Sequence, residues 1–370
     1  MVDRTVSGPR GVHTRLGRWA AVGTILLLLV PLGLSLTTLW QSTGSDLTFD
    51  ARERDGVRYL RPLVRLLSTT LDAQNAAVAG TAVDADAVRA ALKDVDGVDD
   101  RVGATLGTTV RWTDLKARLD TLTAGNARGR AALRAYSVVV DLEVALIARV
   151  GDSSNLILDP ELDAYYVMDA TLLRIPAILV DSAHATGLAA LARSEAAGSD
   201  QSDADQLAAA VALTKVRSDI TAVDDGLRKS FGITQSRTLG AGLLSDLDKL
   251  RDAVTDFAPP STEVGAATGQ RPGADLLRGW GTVRDAALAF EASALTELDA
   301  LLVARSDRIE GQRRFVVWVS AVGLLLALGL AGVWAWTTTR VAPARAPGAP
   351  ARELSSDGDL IGAGAAGNDR

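Results

Sequence analysis

The stretch FVVWVSAVGLLLALGLAGVWAW, Phe315–Trp336, runs for 22 residues without a charge. A second, WAAVGTILLLLVPLGLSLTTLW, Trp19–Trp40, is equally long and equally uncharged. A helix needs roughly 20 apolar residues to cross the hydrocarbon core of a bilayer. Both stretches therefore read as transmembrane helices, and everything else is placed relative to them. Five of the seven tryptophans, Trp19, Trp40, Trp318, Trp334 and Trp336, fall inside the two stretches. Indole favours the headgroup level, where its apolar ring and its N–H donor are both accommodated. The first stretch follows a basic head (Arg4, Arg10, Arg15, Arg18) but ends in SLTTLWQSTG, without a small-x-small cleavage site. It reads as an uncleaved anchor and not as a signal peptide.

The spans divide the 370 residues into a cytoplasmic head (1–18), span one (19–40), a large loop (41–314), span two (315–336) and a tail (337–370). The loop carries 31 basic and 40 acidic side chains, a net of −9. Nothing in that balance points to nucleic acid. Lys and Arg near the span ends are tied, seven on the terminal sides and seven on the loop sides. The basic head and the readiness of long loops to translocate break the tie. The expectation is a two-pass protein of the cytoplasmic (inner) membrane with its large domain outside.

Ala and Leu dominate the loop and aromatics make up 4% of the chain, which favours helix. Val57, Leu60, Val64, Leu67 and Leu71 recur at steps of three and four and predict a first helix over 46–79, interrupted or kinked at Pro62. Asp84 caps a second helix reaching Leu106. Thr113 caps a third running to Val150, closed by Gly151. Asp159-Pro160 starts a fourth, which continues to Ala197 with a kink at Pro176. A helical stretch covers 203–257, and Pro259–Gly273 is a loop. The steps Leu276, Trp280, Val283, Ala287, Phe290, Ala294, Leu298 and Leu301 are heptad-like, as in a coiled coil, and lead unbroken into span two. The fold expected is all-α: an elongated antiparallel helical bundle between two transmembrane helices, as one bundle or two stacked modules.

One segment differs in composition from the rest. DSSNLILDPELDAYYVMD, Asp152–Asp169, holds two of the four tyrosines, the only internal methionine and five acids. Leu162, Tyr166, Asp169, Leu173, Pro176 and Val180 lie on one helical stripe, which puts the Asp169 carboxylate on an apolar face. Such a group needs a partner, either an arginine of a neighbouring helix or the amine of a ligand. Tyr165, one turn earlier, can place its hydroxyl beside it. Ser153, Ser154 and Asn155 can cap the break through side-chain to backbone bonds. The stretch is thus a structural joint, a pocket for a small molecule, or both. Its candidate residues are Asn155, Asp159, Tyr165, Tyr166 and Asp169.

The run SNLILDPELDAYYVMD, with a proline later in the same helix, resembles a segment in the extracytoplasmic sensor regions of bacterial chemoreceptors and membrane histidine kinases. The specific match covers 151–183, and the layout is similar over 45–314. The resemblance implies a helical ligand-sensing domain and a homodimer, and names no ligand. The tail is similar to a HAMP relay at Arg340, Pro343 and Gly358-Asp359-Leu360. It departs from that pattern at Pro347, Gly348 and Pro350, which break the helix such a relay needs. The expectation is a degenerate, disordered tail and signalling through a separate output chain. The competing reading is a membrane scaffold, or a receptor remnant, without a small ligand.

Other chemistries find no footing. The chain has no cysteine, and His13 and His184 are its only histidines, so no thiol nucleophile and no zinc set can be assembled. DSSNLILDPELD has the length of a calcium loop but places Leu156 and Ile157 where a ligand and a glycine belong. Gly362, Gly364 and Gly367 match GxGxxG without a preceding strand. No enzyme activity, no cofactor and no metal is expected.

Overall fold

The computed structural model describes residues 33, 49–158, 162–195, 198–233, 241–259 and 273–340. These residues are helices joined by short turns, with no strand among them. Span one apart from residue 33, the head, the tail beyond Arg340, the Pro259–Gly273 loop between 260 and 272, and Asp159 lie outside the described residues. The chain divides into two compact units. One is Val30–Val316 and the other includes Val317 onward.

In the larger unit the first helix, α1, covers 49–79 and passes through Pro62 without interruption. It is buried on most of its circumference. Val57, Tyr59, Leu60, Leu63, Val64, Leu66, Leu67 and Leu71 are each 1% exposed or less. The buried face is wider than the single stripe read from the sequence, and a polar stripe through Arg58, Arg61 and Arg65 remains at the surface. Gly80 ends α1 at φ +74°, and the Gly80 and Thr81 amides return to the carbonyls of Ala77 and Ala76.

The second helix, α2 (Ala85–Val98), opens on Asp84, whose side chain accepts the Ala87 amide at 2.9 Å. It continues through a π-helical segment, Asp99–Gly103, to Leu106. The helix expected over 113–150 is two helices, α3 (Thr109–Ala124) and α4 (Gly129–Ser153). The backbone is extended at Gly125 and left-handed at Gly129, which breaks the helical ladder. Thr113 is inside α3 with its hydroxyl bonded to the Thr109 carbonyl. Gly151 is inside α4, where an added Cβ would lie 3.0 Å from Leu172.

The next segment comprises α5 (Leu162–Asp169), a second π-helical segment (Ala170–Arg174) and α6 (Ile175–Ser194). Pro176 has no N–H to return to Leu172, and the ladder widens just before it, the Ile175 amide reaching back five residues to Ala170. The extra residue rotates the faces out of the stripe predicted from Leu162 to Val180. Leu173 is 52% exposed, while Val167, Met168, Thr171, Leu172, Ile175, Ile178 and Leu179 are buried. α7 (Asp200–Ile233), α8 (Ala241–Phe257) and α9 (Gly273–Arg340) complete the chain. On α9 the buried series ends Leu295, Leu298, Leu302, one position later than Leu301.

Polar contacts give the pairings. α1 meets α9 through Arg54–Asp299 (2.9 Å), Arg61–Thr296 (3.3 Å) and Asp72 with Trp280 (2.8 Å) and Arg284 (2.7 Å), so the two run in opposite directions. α1 meets α4 through Thr70–Glu143, and Gly56 lies against Ser154. α4 meets α6 where Gly187 faces Leu133. α6 meets α7 through Ser202 and the Ala192 carbonyl. Arg217 of α7 reaches the carbonyls at the end of α8, and Ser293 of α9 bonds Asp246 of α8.

Two described helical stretches are long and apolar enough to cross a membrane. In Ala164–Ser194 the apolar window is 72% buried, as a core helix of the larger unit would be. In Leu276–Val333 it is 0% buried. Phe315, Trp318, Leu325, Leu326, Leu330 and Val333 are all more than half exposed. An apolar surface of that extent is matched by lipid and not by water.

Candidate functional site

The joint is built on a turn. α4 ends at Ser153, Ser154 is fully buried, and Asn155 adopts φ +66° with its amide on the Asp152 carbonyl. Asn tolerates the left-handed region better than other non-glycine residues, because its short side chain can bond locally. A 3-10 turn, Leu156–Leu158, follows. The turn is docked on α1, since a Cβ at Gly56 would collide with Ser154 Oγ and lie 2.9 Å from Leu156.

The other named residues do different work. Tyr166 rests on Gly226 of α7, whose missing side chain leaves room for its ring. Tyr165 is 47% exposed and meets Tyr166 edge-on, ring centres 5.4 Å apart at 77°. Asp169 is partnered by Arg174, one widened turn further along, at 3.2 Å, and Arg174 also binds Asp219 of α7 at 2.9 Å. The Asp219 bond is the larger influence raising the Arg174 pKa, and Asp169 adds to it. The arginine thus comes from the same segment, and the π segment sets its reach. Asp169 sits at the edge of the core.

The residues that the sequence reading passed over are deeper. Glu143 of α4 is 0% exposed. Its Oε1 accepts the Thr70 hydroxyl at 2.7 Å, and its Oε2 has no hydrogen-bond partner. Burial pushes the carboxyl up to about 8, the Thr70 bond pulling the other way. Glu291 of α9 is 3% exposed, and both its oxygens lack hydrogen-bond partners. Burial holds it well above the ordinary carboxylate range, with Arg61 opposing. Asn75 of α1, 4% exposed, has neither amide atom bonded, and the buried Ser182 hydroxyl is likewise unbonded. Glu53 and Asp50 show the contrasting case: both are buried, and Arg305 binds both. The signal was present in the sequence. Val139, Val140, Glu143, Leu146, Ile147 and Val150 fall on one helical face, as do Ala287, Glu291, Ala294, Leu295 and Leu298.

On the surface, a groove of about 580 Å³ lies between α3 and α4, lined by Leu122, Ala127, Val138 and Val139 beside the Asp114–Arg118 ion pair. Among the described residues no three His, Asp or Glu side chains gather to hold a metal ion. The chemistry that the interior offers is proton uptake and hydrogen bonding: two carboxyls that burial holds above the ordinary carboxylate range, and polar atoms that a rearrangement or a ligand could satisfy. No family model, no curated protein and no solved structure matches the chain.

Proposed function

We propose that the chain is a non-catalytic, receptor-like membrane protein. Its helical domain, an antiparallel bundle outside the cytoplasmic membrane, takes a small solute or responds to the state of the envelope. It passes that state to the membrane through α9, as a homodimer working on a separate signalling chain. One observation carries this reading. α9 contributes Leu276–Leu302 to the core of the larger unit and also carries the exposed apolar run beginning at Phe315. The core it contributes to holds polar groups that its own packing leaves unsatisfied. A domain built only for rigidity gains nothing from such groups, because each one costs about 1–3 kcal/mol. Helix displacements of about 1–2 Å suffice for a switch of this kind.

A scaffold without a small ligand is the second reading. The open apolar groove between α3 and α4 supports it, as a place for a partner helix. A thermal-shift screen of the full chain in detergent micelles separates the two, using amino acids, organic acids, amines and small oxyanions. A ligand at 100 times its Kd adds about 2.7 kcal/mol to the stability of the folded form. A hit supports the receptor, and its loss in Asp169→Ala with the fold intact assigns the ligand to the joint. No shift from any compound supports the scaffold.

A further inference from the structure

Glu291 lies within the α9 face that packs against α1 and α8. The charged groups around it are few. From α1 it is faced by Arg61, the one charge whose field bears on it. Along the same interface Arg54 is bound to Asp299, and Asp72 to Trp280 and Arg284. From α8 the nearest acid along the contact, Asp246, is bound to Ser293 and Lys249. Arg61 itself is committed elsewhere. Its Nη2 donates to Thr296 Oγ1 at 3.3 Å, on the exposed side of α9, and Thr296 in turn donates to the Ala292 carbonyl. A bond of that length is weak. Thr296 and Glu291 are five residues apart on one helix, about 7.5 Å along its axis, within the swing of an arginine side chain.

Two states follow from this arrangement. With a proton on Glu291, the side chain is neutral and stays among Ala287, Phe290 and Ala294, and Arg61 remains on Thr296. When the proton leaves to water, an unpaired carboxylate in the core is costly, and Arg61 is the cation whose charge already bears on it. We propose that Glu291 is a proton-operated latch: its ionisation draws Arg61 from Thr296 onto α9's buried face and shifts α9 against α1. This rests on the receptor reading and names the proton as one of its stimuli.

The absence of cysteine makes the test direct. Arg65→Cys on α1 and Ala292→Cys on α9, both at exposed positions, carry spin labels in the full chain reconstituted into lipid nanodiscs. The label-to-label distance is measured at pH 5 and pH 9. The expected result is a change of about 2 Å that is abolished by Glu291→Gln and by Arg61→Met and retained in Glu143→Gln. An unchanged distance overturns the latch. So does a change that persists in Glu291→Gln, and a change lost only in Glu143→Gln moves the sensor to that residue. The solute screen is independent. A chain that still shows a solute-induced thermal shift but no pH-dependent distance loses the latch and keeps the receptor reading.

Discussion

Glu143 sets a pH dependence that can be stated with its sign. Its carboxyl has an ordinary value of 4.5 and is pushed up to about 8 in the folded chain. Between those values the folded state holds a proton that the unfolded state has released, so stability falls as pH rises. The contribution is fully present below about pH 4.5 and is lost as pH passes 8. Glu143→Gln, a neutral isostere, should flatten that slope and leave the variant more stable than the parent at pH 8 by a few kcal/mol at most, read from thermal unfolding midpoints against pH. A parallel slope in parent and variant would remove Glu143 as its source. Gly56 gives a second expectation. An alanine there would press on Ser154 and Leu156, and Gly56→Ala should cost about 1–3 kcal/mol. Neither residue was singled out in the sequence. Glu143 is one acid among forty in its domain, and only the burial of its neighbours marks it. Gly56 sits within a helix, and the turn it accommodates is about a hundred residues away. By contrast, the turn at Asn155 has a local signal, because Asn beside a helix end accepts a left-handed backbone.

The elements differ in how much their own residues decide. Asp84 capping α2 and Gly80 closing α1 are both local chemistry, and the cap was read from the sequence. Pro62 was read as an interruption or a kink, and the helix is not interrupted there, since burial of most of α1 outweighs a single missing donor. Pro176, where a kink was expected, is preceded by a widened turn. That widening changed the candidate site most. It rotates Leu173 outward and lets Arg174 serve both Asp169 and Asp219. Arg174→Ala should lower stability by about 1 kcal/mol, a modest figure because the guanidinium is partly exposed. A double-mutant cycle between Arg174 and Asp219 should return a coupling of about 0.5 kcal/mol or more. Strict additivity would mean that the pair does not hold α7 to the joint. The split of the expected 113–150 helix shows the opposite failure: three turn-forming residues, Gly125, Asn126 and Gly129, were available to be weighed and were not.

At the scale of the molecule, the apolar run of α9 makes its own prediction. Leu326, 64% exposed, lies at the middle of 315–336. Leu326→Arg should reduce membrane insertion of that segment by about 2.5–3.5 kcal/mol, measured by glycosylation mapping in microsomes. Unchanged insertion would mean that the segment does not span. The helical class and the long apolar run of α9 were legible because composition and run length carry them. The closure of α9 on α1 was not, because no local pattern records which helices meet.

That closure also has a consequence in time. Asp50 and Glu53 depend on Arg305, which follows Asp50 by 255 positions. At a synthesis rate of about 5–20 residues per second, α1 emerges from the ribosome roughly 10–50 s before the helix that neutralises its first turn. During that interval the most buried helix of the protein has no mate on one flank. The nascent chain is at its most vulnerable from its beginning until almost its end. Pausing or truncation in that window leaves exposed an apolar face that the finished fold buries.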